Sequence, residues 1–313
     1  MERIVFLESR TLRAPLRDPS FENTMRCYDD AETSPEELFE RLKDATVVIV
    51  NKTTLGADVL GRLPKLKLIA VAATGTDNID LEFCRARGIE VRNVRGYAGD
   101  TLPEHVFMMT LALSRNLIGY REDVRAGLWQ RSDQFCLQTH RIRDLHGATL
   151  GIVGYGTLGR GVERLARAFG MEVLISERKG ADEVRDGRTP FDEVVRRADV
   201  LTLHVPLTEE TRHLIGREEL ALMKRSAIVI NCARGGVVDE WALAGALREG
   251  RIGGAGVDVL STEPPGQGNP LLDPDLPNII VTPHVAWAGH RAQQTLADRL
   301  MDNIEGFFKS TED

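Results

Sequence analysis

The sequence predicts an α/β protein of two domains, each built on a doubly wound parallel sheet. Three observations carry this reading. The chain has 313 residues, more than one compact domain usually needs. Short β-branched runs alternate with amphipathic helical stretches in two separate series. The second series opens on a glycine fingerprint of the kind that joins a strand to a helix.

The first series reads RIVFLE, the helix-like PEELFERL, TVVIVN, LKLIAVAA and GIEVRN. Gly96, Gly99 and Pro103 then punctuate the chain before a long helical segment from about Leu102 to Leu117, which reads as a crossing between domains. From Thr149 the second series runs through TLGIVG, MEVLIS, ADVLTLHV, AIVINCA, GAGVDVL and NIIVT, with helical stretches between most of them. Near the end, Leu296, Leu300, Ile304 and Phe307 stand at helical spacing within His290 to Phe308, so this helix should pack one face onto a domain. The segment from Leu260 to Asn278 holds five of the thirteen prolines and no periodic pattern, which marks it as functional or disordered.

Composition excludes several classes. Charged residues are 28% and the hydrophobic set 42%, as in globular proteins. With 40 Lys and Arg against 47 Asp and Glu, the net charge of -7 repels nucleic-acid phosphate, so no nucleic-acid partner is expected. No apolar run approaches the roughly 18 residues of a membrane span, and Ile4 to Leu7 is too short for a signal-peptide core. Cys27, Cys84, Cys136 and Cys232 form no C-x-x-C pair, and read as buried thiols of a reducing cytoplasm rather than metal ligands.

Gly154-Tyr155-Gly156-Thr157-Leu158-Gly159 follows the strand TLGIV and opens a helix with an apolar stripe of Leu158, Val162, Leu165, Ala166 and Phe169. In that context the first glycine permits a tight turn, the second lets backbone approach a pyrophosphate, and the third lets helix and strand pack closely. The diphosphate then lies on the helix N-terminus, where unpaired N–H groups favour anions. Glu177 stands eighteen residues after Gly159 at the end of the next strand. An acid about 20 residues on binds the adenosine ribose hydroxyls of NAD and repels the 2′-phosphate of NADP. Arg178 and Lys179 can instead hold that phosphate, so NAD is preferred and NADP stays open.

Ligands of open parallel sheets bind beyond the carboxyl ends of the strands. Polar residues there are Arg234, Glu263, His284 and His204, each with a plain alternative as a loop ion pair, a turn residue or a packed core histidine. For hydride transfer between a nicotinamide and the carbon of a 2-hydroxy or 2-oxo acid, three groups are needed besides the cofactor, which carries the hydride. His284 can supply the proton, Glu263 can stabilise and orient the imidazolium, and Arg234 offers a planar bidentate anchor for a carboxylate.

VAATGTDNID from Val71, HGATLGIVGYGTLG from His146, INCARGGVVDE from Ile230, GAGVDVLSTEPP from Gly254 and TPHVAW from Thr282 together make the chain resemble the D-isomer-specific 2-hydroxyacid dehydrogenase family over essentially its whole length. Within it the glycerate dehydrogenase or hydroxypyruvate reductase branch is the nearest likeness. The resemblance implies a Rossmann cofactor domain at 100–284 and a flavodoxin-like substrate domain at 1–99 with 285–313, the last helix rejoining the first domain. It puts the catalytic set on Arg234, Glu263 and His284, and the substrate carboxylate on the backbone of Ala73, Thr74 and Gly75. It further implies that Val205, Pro206 and Thr211 lie near the adenosine half of the cofactor, that Cys232, Ala233 and Asp258 lie near its nicotinamide half, and that two copies pair as a homodimer through their cofactor domains.

Trp287, where many relatives carry small or hydroxyl residues, either shapes the substrate pocket or packs as an ordinary aromatic. Asn51 and Lys52 end a strand of the first domain and are candidates for substrate contact or solvated ends. Glu104 and His105 sit together on the long helix, where a catalytic role carries little weight because that helix reads as an interdomain element. Among rival substrates, formate is disfavoured because formate dehydrogenases of the family carry Gln where Glu263 stands. Phosphoglycerate enzymes commonly carry more chain, which favours glycerate or hydroxypyruvate, but short ones exist, so phosphoglycerate, glyoxylate and phenylpyruvate stay open. A non-catalytic NAD-sensing scaffold, like the C-terminal binding protein corepressors, is expected to show an extended tail instead of an end at Asp313.

Overall fold

The computed structural model describes residues 1–29 and 34–310. The chain divides into two compact units, Met1–Tyr97 with Ala288–Asp313, and Ala98–Trp287. The cuts expected at 99/100 and 284/285 thus fall at 97/98 and 287/288. Residues 285–287 stay with the second unit for a local reason: Ala286 is buried and donates its N–H to Asp258 Oδ2 at 2.9 Å, while Trp287 Nε1 donates to the carbonyl of His284 at 3.0 Å.

In the first unit, β1 (Glu2–Phe6), β2 (Asn23–Cys27), β3 (Val47–Val50), β4 (Leu68–Val71) and β5 (Glu90–Asn93) form an all-parallel sheet in the order β2-β1-β3-β4-β5, the flavodoxin-like arrangement. β2, NTMRC, went unread in the sequence because it is an edge strand with little buried surface and no apolar alternation. α1 (Pro35–Leu42) starts where the Ser34 side chain accepts the N–H of Glu37, with proline at the first helical position. With α2 (Ala57–Leu60) and α3 (Leu81–Ala86) it covers one face of the sheet, burying Leu38, Leu42, Val59 and Leu60 against Val48, Val50, Ile69 and Val71.

The alternate strand residues Val47, Ile49, Leu68 and Ala70 are equally buried, and the C-terminal helix (His290–Lys309) lies against β4 and β5. Its stripe of Leu296, Leu300, Ile304 and Phe307 is buried. Polar ties fix its register. Arg17 pairs with Glu305 at 2.6 Å and Asp302 at 2.7 Å, and Arg92 donates to the carbonyl of Asn303 at 2.9 Å. The Arg17 guanidinium holds the Glu305 carboxyl down at about 2.

The second unit carries β6 (Thr149–Val153), β7 (Glu172–Ile175), β8 (Val200–Leu203), β9 (Ile228–Asn231), β10 (Gly254–Val257) and β11 (Ile279–Val281), all parallel in the order β11-β10-β9-β8-β6-β7. Both faces are covered. α4 (Thr101–Ser114) and α6 (Thr157–Ala168) bury Val106, Met109, Val162 and Ala166 with Leu150, Ile152, Ile228 and Ile230. α7 (Phe191–Arg197), α8 (Arg217–Leu222) and α9 (Glu240–Arg248) bury Val194, Leu220 and Leu243 with Leu201, Leu203 and Val229. The chain runs from β6 outward to β7 and then back past β6 to β8, so the end of β6 is the point where strand order reverses.

The helix read as an interdomain crossing is instead part of this second core. Leu102, Val106, Met109 and Leu113 of α4 are buried within it. It stops at Arg115, Asn116 adopts a left-handed φ of 51°, and α5 (Leu117–Arg125) follows. The 260–278 segment is ordered: Leu271 and Leu276 are buried, and the Glu240 carboxylate accepts the N–H and Oγ of Ser261, each at 2.7 Å, and Asn269 Nδ2. Of the four free cysteines, Cys84 and Cys232 are buried as expected, whereas Cys27 and Cys136 are exposed. Among the described residues no helix is long and apolar enough to cross a membrane.

Because Leu300 is fully enclosed on the C-terminal helix, Leu300→Ala should lower the stability of the first unit by about 2–5 kcal/mol. Urea unfolding followed by far-ultraviolet circular dichroism measures it, and an unchanged midpoint would show that the helix does not anchor this sheet.

Candidate active site

Three of the residues singled out in the sequence stand at the carboxyl ends of three adjacent parallel strands. Arg234 follows β9, Glu263 follows β10 and His284 follows β11. His284 Nδ1 lies 2.6 Å from Glu263 Oε2, and the other carboxylate oxygen accepts the N–H of Leu260 at 2.8 Å. Glu263 is therefore fixed at both oxygens. Its remaining orientation holds the imidazole of His284 with Nε2 as the outward nitrogen.

His284 sits in the left-handed region at φ 55°, which a non-glycine residue adopts only when its surroundings impose it. Those surroundings centre on Asp258. This residue is 1% exposed, and its carboxylate accepts the Thr282 hydroxyl, the N–H of Val285 at 2.9 Å and the N–H of Ala286 at 2.9 Å. The N–H of His284 itself donates to the Asp258 carbonyl at 2.8 Å. Asp258 thus ties down both sides of the turn that carries His284. His105 on α4 joins the network, with Nε2 3.0 Å from Thr282 Oγ1 and 3.6 Å from Asp258 Oδ1; burial pushes its pKa down against the pull of that carboxylate.

Arg234 lies on a loop held by Asn231, whose Nδ2 donates to the Arg234 carbonyl at 3.0 Å while its Oδ1 accepts the N–H of Ala233 at 3.1 Å. The next residue was not singled out in the sequence. A Cβ on Gly235 would stand 1.9 Å from the Leu260 carbonyl oxygen and 2.5 Å from the Ser261 nitrogen. Only glycine lets the loop bearing Arg234 lie backbone to backbone on the loop bearing Glu263. The doubled glycine of ARGG was the available signal.

The fingerprint occupies the reversal point at the end of β6. Gly154 has φ 92°, and a Cβ there would strike the His204 carbonyl at 2.6 Å; a Cβ on Gly159 would strike the Gly154 carbonyl at 2.4 Å. A Cβ on Gly156, by contrast, would meet no protein atom within 4 Å, so the backbone there borders open space. Gly156 caps α6 without a side-chain acceptor, and the first turn has no acid. Open backbone beside uncapped N–H groups fits a dinucleotide pyrophosphate. Thr157 and Leu158 begin the helix, and the Tyr155 hydroxyl donates to Glu163.

Past β8, Thr211 Oγ1 donates to the Pro206 carbonyl at 2.6 Å, fixing the turn that follows Val205. Cys232 is buried, and burial raises its thiol pKa well above the usual value. Ala73, Thr74 and Gly75 lie past the end of β4 in the first unit, where Thr74 Oγ1 donates to the Val94 carbonyl at 2.9 Å. In the same unit the N–H groups of Asn51 and Lys52 donate to the buried Glu8 carboxylate at 2.9 Å.

Glu177, at the end of β7, is held by its own loop. It is 4% exposed, and its carboxylate accepts Arg185 Nη2 at 2.5 Å, Arg185 Nε at 2.7 Å, the Arg178 N–H at 2.9 Å and the Arg185 N–H at 3.3 Å. A carboxylate has about four acceptor positions. All of them are engaged within the 176–189 segment. The Arg185 guanidinium holds this carboxyl down at about 2.

Residues 107–286 match the family described as D-isomer specific 2-hydroxyacid dehydrogenase, NAD binding domain. The chain is 50% identical over 308 residues to the glycerate dehydrogenase of Methylorubrum extorquens, covering 98% of this chain and 96% of that one. Among solved structures it is similar to the D-lactate dehydrogenase of Aquifex aeolicus complexed with NAD and lactic acid, with 28% identity, TM-score 0.80 and coverage of 98% and 96%. A second is the NADPH-dependent glyoxylate/hydroxypyruvate reductase of Sinorhizobium meliloti, with 25% identity, TM-score 0.80 and coverage of 98% and 95%.

His204, beneath the fingerprint, gives a pH prediction. Its Nδ1 is buried without a hydrogen-bond partner, Nε2 lies 3.0 Å from Thr202 Oγ1, and burial lowers its pKa to about 4. The unfolded chain binds this proton near 6.5 and the folded chain resists it until about 4, so stability is full above 6.5 and falls across that window as pH drops. The slope is up to about 1.4 kcal/mol per pH unit. Denaturation midpoints between pH 7 and 5 should flatten in His204→Gln, and a slope equal to the parent's would clear His204 of the effect.

Proposed function

The chain belongs to the D-isomer specific 2-hydroxyacid dehydrogenases, and we propose that its substrate pair is hydroxypyruvate and D-glycerate. The observation that carries the proposal is the His284–Glu263 pair set beside the Arg234 loop on adjacent strand ends. The 50% identity to a glycerate dehydrogenase over nearly the whole chain supports that substrate over its rivals.

When bound, a nicotinamide dinucleotide supplies the hydride. The residues that would hold it are the Gly154 to Gly159 loop at the pyrophosphate, Val205, Pro206 and Thr211 toward the adenosine, and the backbone of Cys232 and Ala233 toward the nicotinamide. Asp258 serves that side by fixing the turn, since its oxygens are engaged with Thr282, Val285 and Ala286. Arg234 binds the substrate carboxylate through its planar guanidinium and orients the adjacent carbonyl. His284 delivers the Nε2 proton to the carbonyl oxygen as it becomes a hydroxyl, and takes it back in the oxidative direction. Glu263 Oε2, at Nδ1, orients the ring and stabilises the imidazolium. Trp287 is held by its bond to the His284 carbonyl.

A second copy of the chain is the proposed partner. The stretch after α4 carries Leu117, Ile118, Leu128, Trp129 and Phe135 on the surface, Phe135 at 95% exposure. Such a concentration of exposed apolar residues in one arm of the second unit suits an interface between copies. The exposed free thiols of Cys27 and Cys136 are in keeping with the reducing cytoplasm.

Nicotinamide absorbance tests the substrate against a panel of hydroxypyruvate, glyoxylate, pyruvate, phenylpyruvate and 3-phosphohydroxypyruvate. The highest kcat/KM should fall on hydroxypyruvate; a higher value on another acid would reassign the substrate. His284→Ala should lower kcat by about 10²–10⁴-fold while dinucleotide binding persists, and surviving turnover would remove His284 as the proton donor. Light scattering should give twice the 34.7 kDa chain mass, with Trp129→Asp/Phe135→Asp shifting it toward the monomer. A parent mass of one chain would refute the homodimer.

A further inference from the structure

The segment from Ser176 to Thr189 folds back on itself. Ser176 and Thr189 form an isolated parallel bridge, and the Glu177 N–H donates to the Thr189 carbonyl at 2.8 Å. This return brings Arg185 onto Glu177 as a bidentate pair, with the guanidinium 59% exposed and the carboxylate sealed behind it. It also places Arg188 over the Tyr155 ring, 5.0 Å from the centroid, where Arg160 lies at 5.4 Å. Lys179 is engaged by Glu219 at 2.7 Å. Arg160, Arg178 and Arg188 have no acidic partner among the described residues. Asp182, Glu183 and Asp186 are exposed on the same segment, and none is paired with these arginines.

In a dinucleotide site the end of the second strand is where the adenosine 2′ position is read: a free carboxylate there takes the hydroxyl, and an arginine takes the phosphate. We propose that Arg185, by holding Glu177 inside the loop, leaves the 2′ position to Arg178, so that this enzyme binds the 2′-phosphorylated dinucleotide more tightly than the unphosphorylated one. The inference rests on the dehydrogenase reading for the identity of the cofactor, and on the loop alone for its form. Arg178 is the phosphate contact, and Arg185 is a positioning residue that acts through Glu177. Freed of Arg185, the Glu177 charge would face the phosphate and repel it.

Calorimetric binding of adenosine 2′,5′-bisphosphate and of 5′-AMP to the full chain tests this without substrate or turnover. The parent should bind the bisphosphate at least about tenfold more tightly than AMP, and with the steeper loss of affinity on adding salt. Arg178→Ala, a change at an exposed side chain, should remove most of that advantage while AMP affinity stays put. Arg185→Ala should also lose it, and Arg185→Ala/Glu177→Gln should recover part of it, because the repelling charge is gone. NADPH and NADH dissociation constants from nicotinamide fluorescence should follow the same order. Equal binding of the two nucleotides by the parent, or an Arg178→Ala variant that keeps the advantage, would overturn the proposal. If hydroxypyruvate is not reduced with either dinucleotide but the bisphosphate advantage holds, the substrate reading fails and this one stands.

Discussion

The site depends on one buried carboxylate. A carboxylate taken out of water is costly unless donors replace the lost hydration, and Asp258 has its donors on both sides of His284: the Thr282 hydroxyl before it, the N–H groups of Val285 and Ala286 after it. To satisfy them the chain must reverse at His284, and the reversal forces a left-handed φ that costs on the order of 1–2 kcal/mol for an L side chain. Satisfaction of the buried charge outweighs that strain. The backbone direction at His284 is thereby set before its ring makes any contact, and the ring meets a Glu263 whose other oxygen is already held by Leu260.

The same logic explains why the three strand-end loops act as one rigid assembly. Gly235 removes the only atom that would separate the Arg234 loop from the Leu260 backbone, and Leu260 is the residue that fixes Glu263. Arg234, Glu263 and His284 are linked across β9, β10 and β11 by the close approach of Gly235 to Leu260, the Leu260 N–H on Glu263 and the Glu263–His284 pair. Pre-organisation of this kind holds the backbone that carries each side chain, so that the Glu263–His284 pair forms between loops already in place.

What could be read from the sequence follows from burial. The four inner strands of the second unit, β6, β8, β9 and β10, are buried along their whole length, so each leaves a largely apolar run that is visible without any fold in mind. β2 left none, since an edge strand with solvent on most of its side chains has no pattern to keep. The break after α4 was hidden because Asn116, rather than a glycine or proline, takes the left-handed turn. Arg234, Glu263 and His284 could be found because position just past a strand and residue chemistry pointed the same way. The parts played by Asp258, Gly235 and Arg185 could not, because each consists of a contact between loops whose approach no local pattern encodes. Glu177 stands where position places a ribose-binding acid, and its pairing with Arg185, eight positions later, was equally beyond any local pattern.

That pairing resolves an apparent conflict between the chain's charge and its ligands. A net charge of -7 should disfavour an anionic cofactor and an anionic substrate alike. Screening confines each charge to about 8 Å at physiological ionic strength, so the acids spread over the rest of the surface contribute little at the end of β6. What counts is local. There the first turn of α6 is free of acids, Arg160 and Arg188 lie over the Tyr155 ring, Arg178 follows Glu177, and the Glu177 charge is neutralised by Arg185. Pairing Glu177 internally lowers the negative field at the end of β7, and local pairing of this kind counts for more than the sum over the chain.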